Sequence, residues 1–370
     1  MVGIKGIPAH YGGMERHVEE LSLRLAARGH QVSVYTRPYY TPKNRKNLRG
    51  IRLISLPTIR TKHLDAITHT AFATLHAIRN GAEVIHYHGG GASLVSFLPR
   101  LLKPSIKVVA TFHSLERLHQ KWGFFARIML KLGEWSSVTF PHETIVVSRP
   151  LKKYLKKNYG ADAMYIPNGI ARDFTKKQPA EIISKKFGLV TDEYILTVAR
   201  LIPPKGIHYL IEAYHQLKTD KKLVIVGGSS YTDEYVTQVR EAAANNPNIV
   251  FTGFQNGKTL AELYSNAYVF VIPSEVEGLP LSLLEATGFG KRSLASNIPA
   301  NLEVLKSGKE ILGYTFKNKD VADLRTKLQQ IIRQPSTSQK LGRAAQKLVF
   351  RKFDWKSITS QTEEVYRPVV

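Results

Sequence analysis

The sequence predicts an α/β protein of two domains, each a parallel sheet wrapped by helices, and three observations carry that expectation. Short apolar, β-branched runs alternate with stretches of helical spacing along most of the chain. Many of these runs are apolar throughout rather than alternating, the pattern of strands buried on both faces. The alternation breaks in a polar stretch, Asn168–Pro179, and then restarts. At 370 residues the chain is also longer than one small core accommodates. The expected division is a first Rossmann-like domain over 1–170 and a second over 171–353. A C-terminal helix at about 354–370 is expected to pack back on the first domain, and a cleft is expected between the two.

The elements follow in order. A glycine-rich loop, Gly3 to Gly13, opens directly into a helix whose apolar face is Val18, Leu21 and Leu25. Only Met1 and Val2 precede that loop, where a strand is expected. Either the first strand is almost absent, or a residue or two of strand belongs upstream. Gly29 ends the helix, and Gln31–Tyr35 reads as a strand. Then come Ile51–Leu56 (strand), Leu64–Arg79 (helix), Val84–His88 (strand), Ser93–Leu102 (helix) and Lys107–Phe112 (strand). Phe124–Trp135 (helix), Glu143–Val147 (strand), Pro150–Asn158 (helix) and Met164–Ile166 (strand) complete the first half. Beyond the linker, strands are expected at Tyr194–Val198, Lys222–Val226, Ile249–Phe251, Tyr268–Ile272 and Ser293–Ala295. Helices are expected at Ile207–Leu217, Glu234–Asn245, Leu260–Ser265 and Pro280–Phe289, with a terminal helical set.

Composition narrows the chemistry. There is no cysteine, which excludes a disulfide framework, a thiolate zinc site and a cysteine nucleophile. No apolar run approaches the ~18–20 residues that span a bilayer, and residues 1–6 have no signal-peptide layout. The formal net charge is +24, which points to a polyanionic partner: phosphorylated substrate, anionic membrane or nucleic acid. A recognisable zinc finger, helix-turn-helix or aromatic RNA-binding signature is missing, which disfavours nucleic acid.

The most informative stretch is Pro273-Ser-Glu-Val-Glu-Gly-Leu-Pro-Leu-Ser-Leu-Leu-Glu-Ala286, which follows the apolar run Tyr268–Ile272. A strand ends, a glycine-containing turn follows, and a helix begins at Pro280, a residue suited to a first helical turn. In open α/β sheets ligands bind beyond the carboxyl ends of strands, and a helix N-terminus there offers free N–H groups to an anion. Glu277 and Glu285, eight positions apart, are out of place beside an anion site unless the ligand carries hydroxyls as well as phosphates. A sugar nucleotide carries both. Arg200 and Lys205 lie just past the strand Tyr194–Val198, where two fixed cations can neutralise a diphosphate.

These segments resemble retaining family 4 glycosyltransferases of the GT-B fold. The resemblance rests on Glu277 to Glu285 with the residues between them, on Val198-Ala-Arg-Leu-Ile-Pro-Pro-Lys-Gly206, and on Gly6-Ile-Pro-Ala-His-Tyr-Gly-Gly-Met-Glu15. The last of these, with Leu56–Lys62 and Val84–Gly89, is similar to a bacterial subgroup that includes rhamnosyltransferases of surface polysaccharide synthesis. The likeness extends to Phe353-Asp354-Trp355.

The resemblance implies a metal-independent hexosyltransferase with no cofactor, its donor a nucleotide diphosphate sugar. Arg200 and Lys205 would hold the diphosphate, Glu285 the ribose diol and Glu277 the sugar hydroxyls. Gly278 and Leu279 would give backbone N–H groups to phosphate, with Pro280 and Leu281 beside the donor. Gly12 and Gly13 would approach the phosphates or the transferred sugar, and His113 the donor sugar, unless it is a core or capping histidine. No role is carried onto Glu275. Arg292, where many relatives have proline, is open to touching base or phosphate, or to being exposed. His86 and His88 share one face of a strand. A metal pair there finds no third ligand with supporting spacing, so no metal is expected.

The first domain is expected to take the acceptor, a saccharide or polyprenyl-diphosphate-linked glycan. Basic and aromatic residues crowd that half: Arg117, Lys121, Trp122, Phe124, Phe125, Arg127 and Lys131; the run Leu151–Lys157; and Arg37, Lys43, Arg45, Lys46, Arg49, Arg60 and Lys62. They predict peripheral attachment to the anionic inner face of the cytoplasmic membrane. The rival readings are a GT-B epimerase or phosphorylase, an inactive scaffold, and a basic nucleic-acid-binding protein.

Overall fold

The computed structural model describes residues 1–61, 64–115, 117, 123–229 and 232–367, with Phe124 and Phe125 described through their backbone alone. The chain divides into two compact α/β units, Met1–Asn168 with Trp355–Val370, and Gly169–Asp354. Lys62, Lys121 and Trp122, three of the residues read as a membrane-facing patch, lie outside the described residues, as do the side chains of Phe124 and Phe125.

The first unit runs α1 (Gly13–Ala27), β1 (Ser33–Thr36), β2 (Asn47–Leu48), β3 (Ile51–Ser55), α2 (Asp65–Arg79), β4 (Val84–His88), α3 (Gly90–Ser93), α4 (Phe97–Leu102), β5 (Lys107–Phe112), α5 (Phe124–Thr139), β6 (Glu143–Val146), α6 (Arg149–Tyr159) and β7 (Met164–Tyr165). Strands β4, β5, β6 and β7 pair in that order, all parallel. β1 pairs parallel with β3, and β2 adds an antiparallel edge. Met1 and Val2 join the two groups. The Tyr35 N–H donates to the Met1 carbonyl at 3.1 Å, Val2 N–H to the His86 carbonyl at 2.9 Å, and His88 N–H to the Val2 carbonyl at 3.0 Å. Two residues thus occupy the position of a first strand. Val2, Tyr35, Ile85, Tyr87, Val108 and Ala110 are buried against α2 residues Ala73 and Ala77. Each fully buried aliphatic side chain in such a core contributes about 1.5–3 kcal/mol.

The second unit runs α7 (Ile182–Phe187), β8 (Tyr194–Val198), a 3₁₀ turn (Pro203–Lys205), α8 (Ile207–His215), β9 (Lys222–Val226), α9 (Asp233–Ala243), β10 (Ile249–Gly253), α10 (Gly257–Asn266), β11 (Val269–Ile272), α11 (Leu281–Gly288), β12 (Arg292–Ser296) and α12 (Pro299–Leu305). A small antiparallel pair follows, β13 (Lys306–Ser307) with β14 (Glu310–Ile311), then β15 (Tyr314–Phe316), α13 (Val321–Arg333) and α14 (Pro335–Lys352). The main sheet has the order β10-β9-β8-β11-β12-β15 and is wholly parallel. The chain therefore lays strands to one side of β8, then returns to the other side with β11. Both faces are covered: on one, Ile195, Leu223, Ile225, Val269 and Val271 are buried with Ile207, Leu210, Leu324 and Leu328 from the helices, and on the other Leu196, Val224, Val226, Phe270 and Ile272 are buried as well.

The last helix, α15 (Trp355–Tyr366), belongs to the first unit. Arg28 donates to Ser360 Oγ at 3.0 Å and to the Lys356 carbonyl at 3.1 Å. The Arg24 guanidinium lies 4.9 Å over the Trp355 ring. Both units have the doubly wound, Rossmann-like architecture expected from the alternation. The helix expected over Ser93–Leu102 is two short helices, α3 and α4. The two- and three-residue strands β2, β13, β14 and β15 are too brief to show a period.

Candidate functional site

The residues singled out in the second half converge on one edge of its sheet. β8 and β11 are neighbours, and strand order reverses between them, which makes their carboxyl ends the topological switch point where open α/β sheets bind ligands. Arg200 and Lys205 follow β8, and the segment 273–280 follows β11. Two close backbone approaches lock these loops together. Glu275 N–H donates to the Pro204 carbonyl at 2.8 Å. Gly206 sits at φ +65° against the Pro273 carbonyl, where a Cβ would lie 2.2 Å from the oxygen, so only glycine fits.

This packing sets the side chains. Lys205 Nζ donates to Glu277 Oε1 in a mostly buried ion pair, with the two side chains 16% and 11% exposed. Arg200 is half-buried, and among the described residues no hydrogen bond or ion pair engages its guanidinium. Glu275 points elsewhere: its carboxylate accepts from Tyr209 Oη at 2.9 Å and pairs with Lys319 at 2.8 Å. Burial, then the Glu275 carboxylate, push the Tyr209 phenol up to about 12.

The turn then feeds α11. Gly278, Leu279 and Pro280 are buried, Pro280 is the N-cap residue, and no side chain caps the helix. The N–H groups of Leu281, Ser282 and Leu283 precede the first intrahelical donor, Leu284, whose N–H reaches the Pro280 carbonyl at 3.1 Å. Glu285 lies on the half-buried face of the same helix. A second glycine pair, unremarked in the sequence, borders the site. Gly227 and Gly228 follow β9, and Leu201 N–H donates to the Gly228 carbonyl at 2.9 Å beside Arg200. A glycine pair directly after a buried strand was the signal available for it.

Arg292 does not share this edge. It begins β12 at the amino end of the strand, donates to Ser338 Oγ and the Tyr268 carbonyl at 3.0 Å each, and lies 4.2 Å over the Tyr268 ring. It is neither a phosphate contact nor an exposed charge, because strand polarity puts it at the opposite edge from the switch point.

In the first unit, Gly12 (φ +100°) is the N-cap residue of α1 and Gly13 its first residue. The loop before them is held by its own neighbours: Lys5 N–H donates to Glu15 at 3.3 Å, Ala9 N–H to Glu19 at 2.8 Å, and His10 N–H to Tyr40 Oη at 2.9 Å. His113 follows β5 and is buried, its Nε2 3.1 Å from His88 Nδ1. The third imidazole that the spacing did not reveal comes from α1: His17, whose ring centre is 5.0 Å from that of His113. His17, His88 and His113 offer donor nitrogens within 4.8 Å of one another, a set able to hold a metal ion. His17 Nδ1 and His88 Nε2 are buried without a partner. Burial drives all three toward the neutral form: His17 down to about 4, and His88 and His113 well below the usual imidazole value. His86, by contrast, is satisfied inside the fold by Thr111 Oγ1 and Tyr366 Oη, both at 2.7 Å.

Of two residues read as surface cations, Arg37 is interior and Arg117 is half-buried. Arg37 pairs with Asp65 and is 5% exposed at its side chain. Arg117 bonds Glu134 at 3.2 Å and Tyr154 Oη at 2.7 Å. Their charge is consumed by buried carboxylates, which composition does not reveal.

Two family models match, one per half: Glycosyltransferase Family 4 over residues 11–174 and Glycosyl transferases group 1 over residues 179–348. The chain is a glycosyltransferase of the GT-B fold. It is 27% identical to an uncharacterized glycosyltransferase of Methanocaldococcus jannaschii over 97% of this chain and 95% of the relative. A glycogen synthase of Mycobacterium tuberculosis is also 27% identical, over 99% and 93%. Among solved structures, Anabaena HepE in complex with UDP-glucose superposes with a TM-score of 0.81 at 18% identity, covering 97% of each chain. In this glycosyltransferase the two matched segments divide at the polar linker, with residues 175–178 between them.

Proposed function

We propose that the second unit binds a nucleotide diphosphate sugar and that the enzyme transfers the sugar, with retention, to a saccharide or polyprenyl-diphosphate-linked acceptor in bacterial surface polysaccharide synthesis. The observation that carries the reading is the cluster at the β8/β11 switch point: Arg200, unengaged among the described residues, the Lys205–Glu277 pair and a helix start with no side-chain cap. The donor complex of the HepE relative supports the same ligand class.

The roles follow from charge. Arg200 and Lys205 neutralise the departing diphosphate, with help from the N–H groups at the start of α11. Gly278, Leu279, Pro280 and Leu281 line that approach. Glu285 accepts the two ribose hydroxyls, since a carboxylate takes parallel hydrogen bonds. Glu277 takes hydroxyls of the sugar. Because Lys205 holds the leaving group and Glu277 the sugar, their contact sets the two sides of the breaking bond next to each other. Gly12, Gly13 and His113 are assigned to the transferred sugar and its phosphates, and the first unit to the acceptor. In this scheme the acceptor hydroxyl attacks on the face the diphosphate leaves, and the leaving phosphate takes its proton. Stabilising charge at the diphosphate then supplies most of the acceleration, with no metal required. The enzyme works at the cytoplasmic face of the membrane, to which its basic first unit is drawn by about 1 kcal/mol per cation near the surface.

The test is a thermal-shift and donor-hydrolysis screen across UDP-, GDP- and dTDP-sugars, run with and without a chelator. One nucleotide class is expected to stabilise the protein and turn over equally in both conditions. If no nucleotide diphosphate stabilises it, the reading fails. Chelator-sensitive turnover restored by zinc would bring His17, His88 and His113 into the mechanism instead.

A further inference from the structure

A single exposed leucine is ordinary on a protein surface, but a row of large apolar side chains along one helix is not. α5 carries such a row. Ile128, Leu132 and Trp135, spaced i, i+4 and i+7, are 42%, 45% and 45% exposed. Among the described side chains of α5, the buried positions are instead small or polar: Ala126, Gly133, Glu134, Ser136 and Ser137. The apolar surface continues beyond the helix. Trp135 meets Phe140 edge-on at 5.2 Å, and Phe140 meets Phe97 of α4 at 5.7 Å. α4 then ends in Leu101 and Leu102, 73% and 58% exposed.

The exposed charges carried by these two helices and the residue after α4 have one sign. Arg100 on α4, Lys103 just after it, and Arg127 and Lys131 on α5 are all exposed. α4 contains no acid, and the single acid of α5, Glu134, is buried. Glu134 accepts from Tyr154 at 2.7 Å and Tyr159 at 2.9 Å, both on α6. These bonds fix α5 to a helix whose Leu151 and Leu155 are buried and whose Lys153, Lys156 and Lys157 are exposed.

We propose that this face of α4 and α5 inserts into the headgroup region of an anionic bilayer, with Ile128, Leu132, Trp135, Leu101 and Leu102 among the acyl chains and the flanking cations on lipid phosphates. Apolar side chains ringed by cations, without an exposed acid on either helix, match a surface that is negative outside and apolar within. The inference deepens the membrane attachment proposed above: it turns attraction by charge into insertion at a named face.

Because the chain has no cysteine, Leu132→Cys can be labelled uniquely with a polarity-sensitive fluorophore, and Val190→Cys, exposed in the second unit, serves as the control. With vesicles of phosphatidylglycerol and phosphatidylcholine, the probe at 132 is expected to shift to the blue and the probe at 190 to stay unchanged. The double variant Leu132→Ser/Trp135→Ser is expected to keep its circular dichroism and lose roughly 30-fold in vesicle affinity. Salt-sensitive vesicle binding with no shift at 132 overturns insertion and leaves attachment by charge. No vesicle binding at all overturns both. A shift without lipid that grows with protein concentration overturns the proposal in favour of an interface between copies of this chain.

Discussion

Arg200 and Glu285 are assigned to adjoining parts of one ligand, the departing diphosphate and the ribose, and their substitutions should fail differently. Arg200 is a permanent planar cation with its donors unspent among the described residues, so Arg200→Ala is expected to lower kcat by roughly 10²–10³, the scale for removing one oriented charge from a developing anion. Arg200→Lys should recover only part, because a point charge does not reproduce two parallel N–H donors. Glu285→Ala is expected to remove most turnover through weaker donor binding, seen first as a raised donor KM. Steady-state kinetics with the donor found by the screen decide the matter. Activity retained in both alanine variants would contradict the assigned site.

The elements hold these residues through one tight crossing, the approach of the turn after β8 to the end of β11. Gly206→Ala must adopt φ near +65° with its Cβ pressed on the Pro273 carbonyl, which should cost roughly 2–4 kcal/mol. The expected result is a lower urea midpoint, together with weaker donor binding because Lys205 is adjacent. An unchanged midpoint would mean that this crossing does not fix the site. The sequence showed the parts of this arrangement, since apolar β-branched runs and the Gly-Leu-Pro turn announce a strand, a turn and a helix. It could not show that β8 and β11 are neighbours, because strand order is set by long-range pairing. The same limit hid His17, which reaches His88 and His113 only once α1 packs beside β4 and β5. Arg37 and Arg117 were read as surface charge for a related reason: net charge counts cations without saying that Asp65 and Glu134 have claimed them. Local periodicity identified α5 as a helix but not which of its faces meets the sheet.

Across the whole molecule the two units differ in how they meet acid. Burial holds His17 and His69 down to about 4, and His86, His88 and His113 well below the ordinary imidazole value of 6.5. All five are in the first unit; in the second, His208 is lowered as well. The unfolded chain binds protons at these sites near pH 6.5, whereas the folded first unit refuses them until about pH 4 for His17 and His69. The unfolded state therefore holds more protons throughout that window, and stability must fall as pH falls through it. Below the folded values the effect levels off. Each such histidine adds a slope of about 1.4 kcal/mol per pH unit inside its window. Calorimetry between pH 7.5 and 5, both values set by roughly these windows, is expected to show the first unit's transition moving down steeply and the second's much less. His69→Gln, which keeps a donor for the Thr36 carbonyl now 3.1 Å from His69 Nε2, should flatten the slope by about one histidine's share. A melting profile that does not move over this range would show that these imidazoles accept protons without unfolding, and that the first unit's interior is open to water.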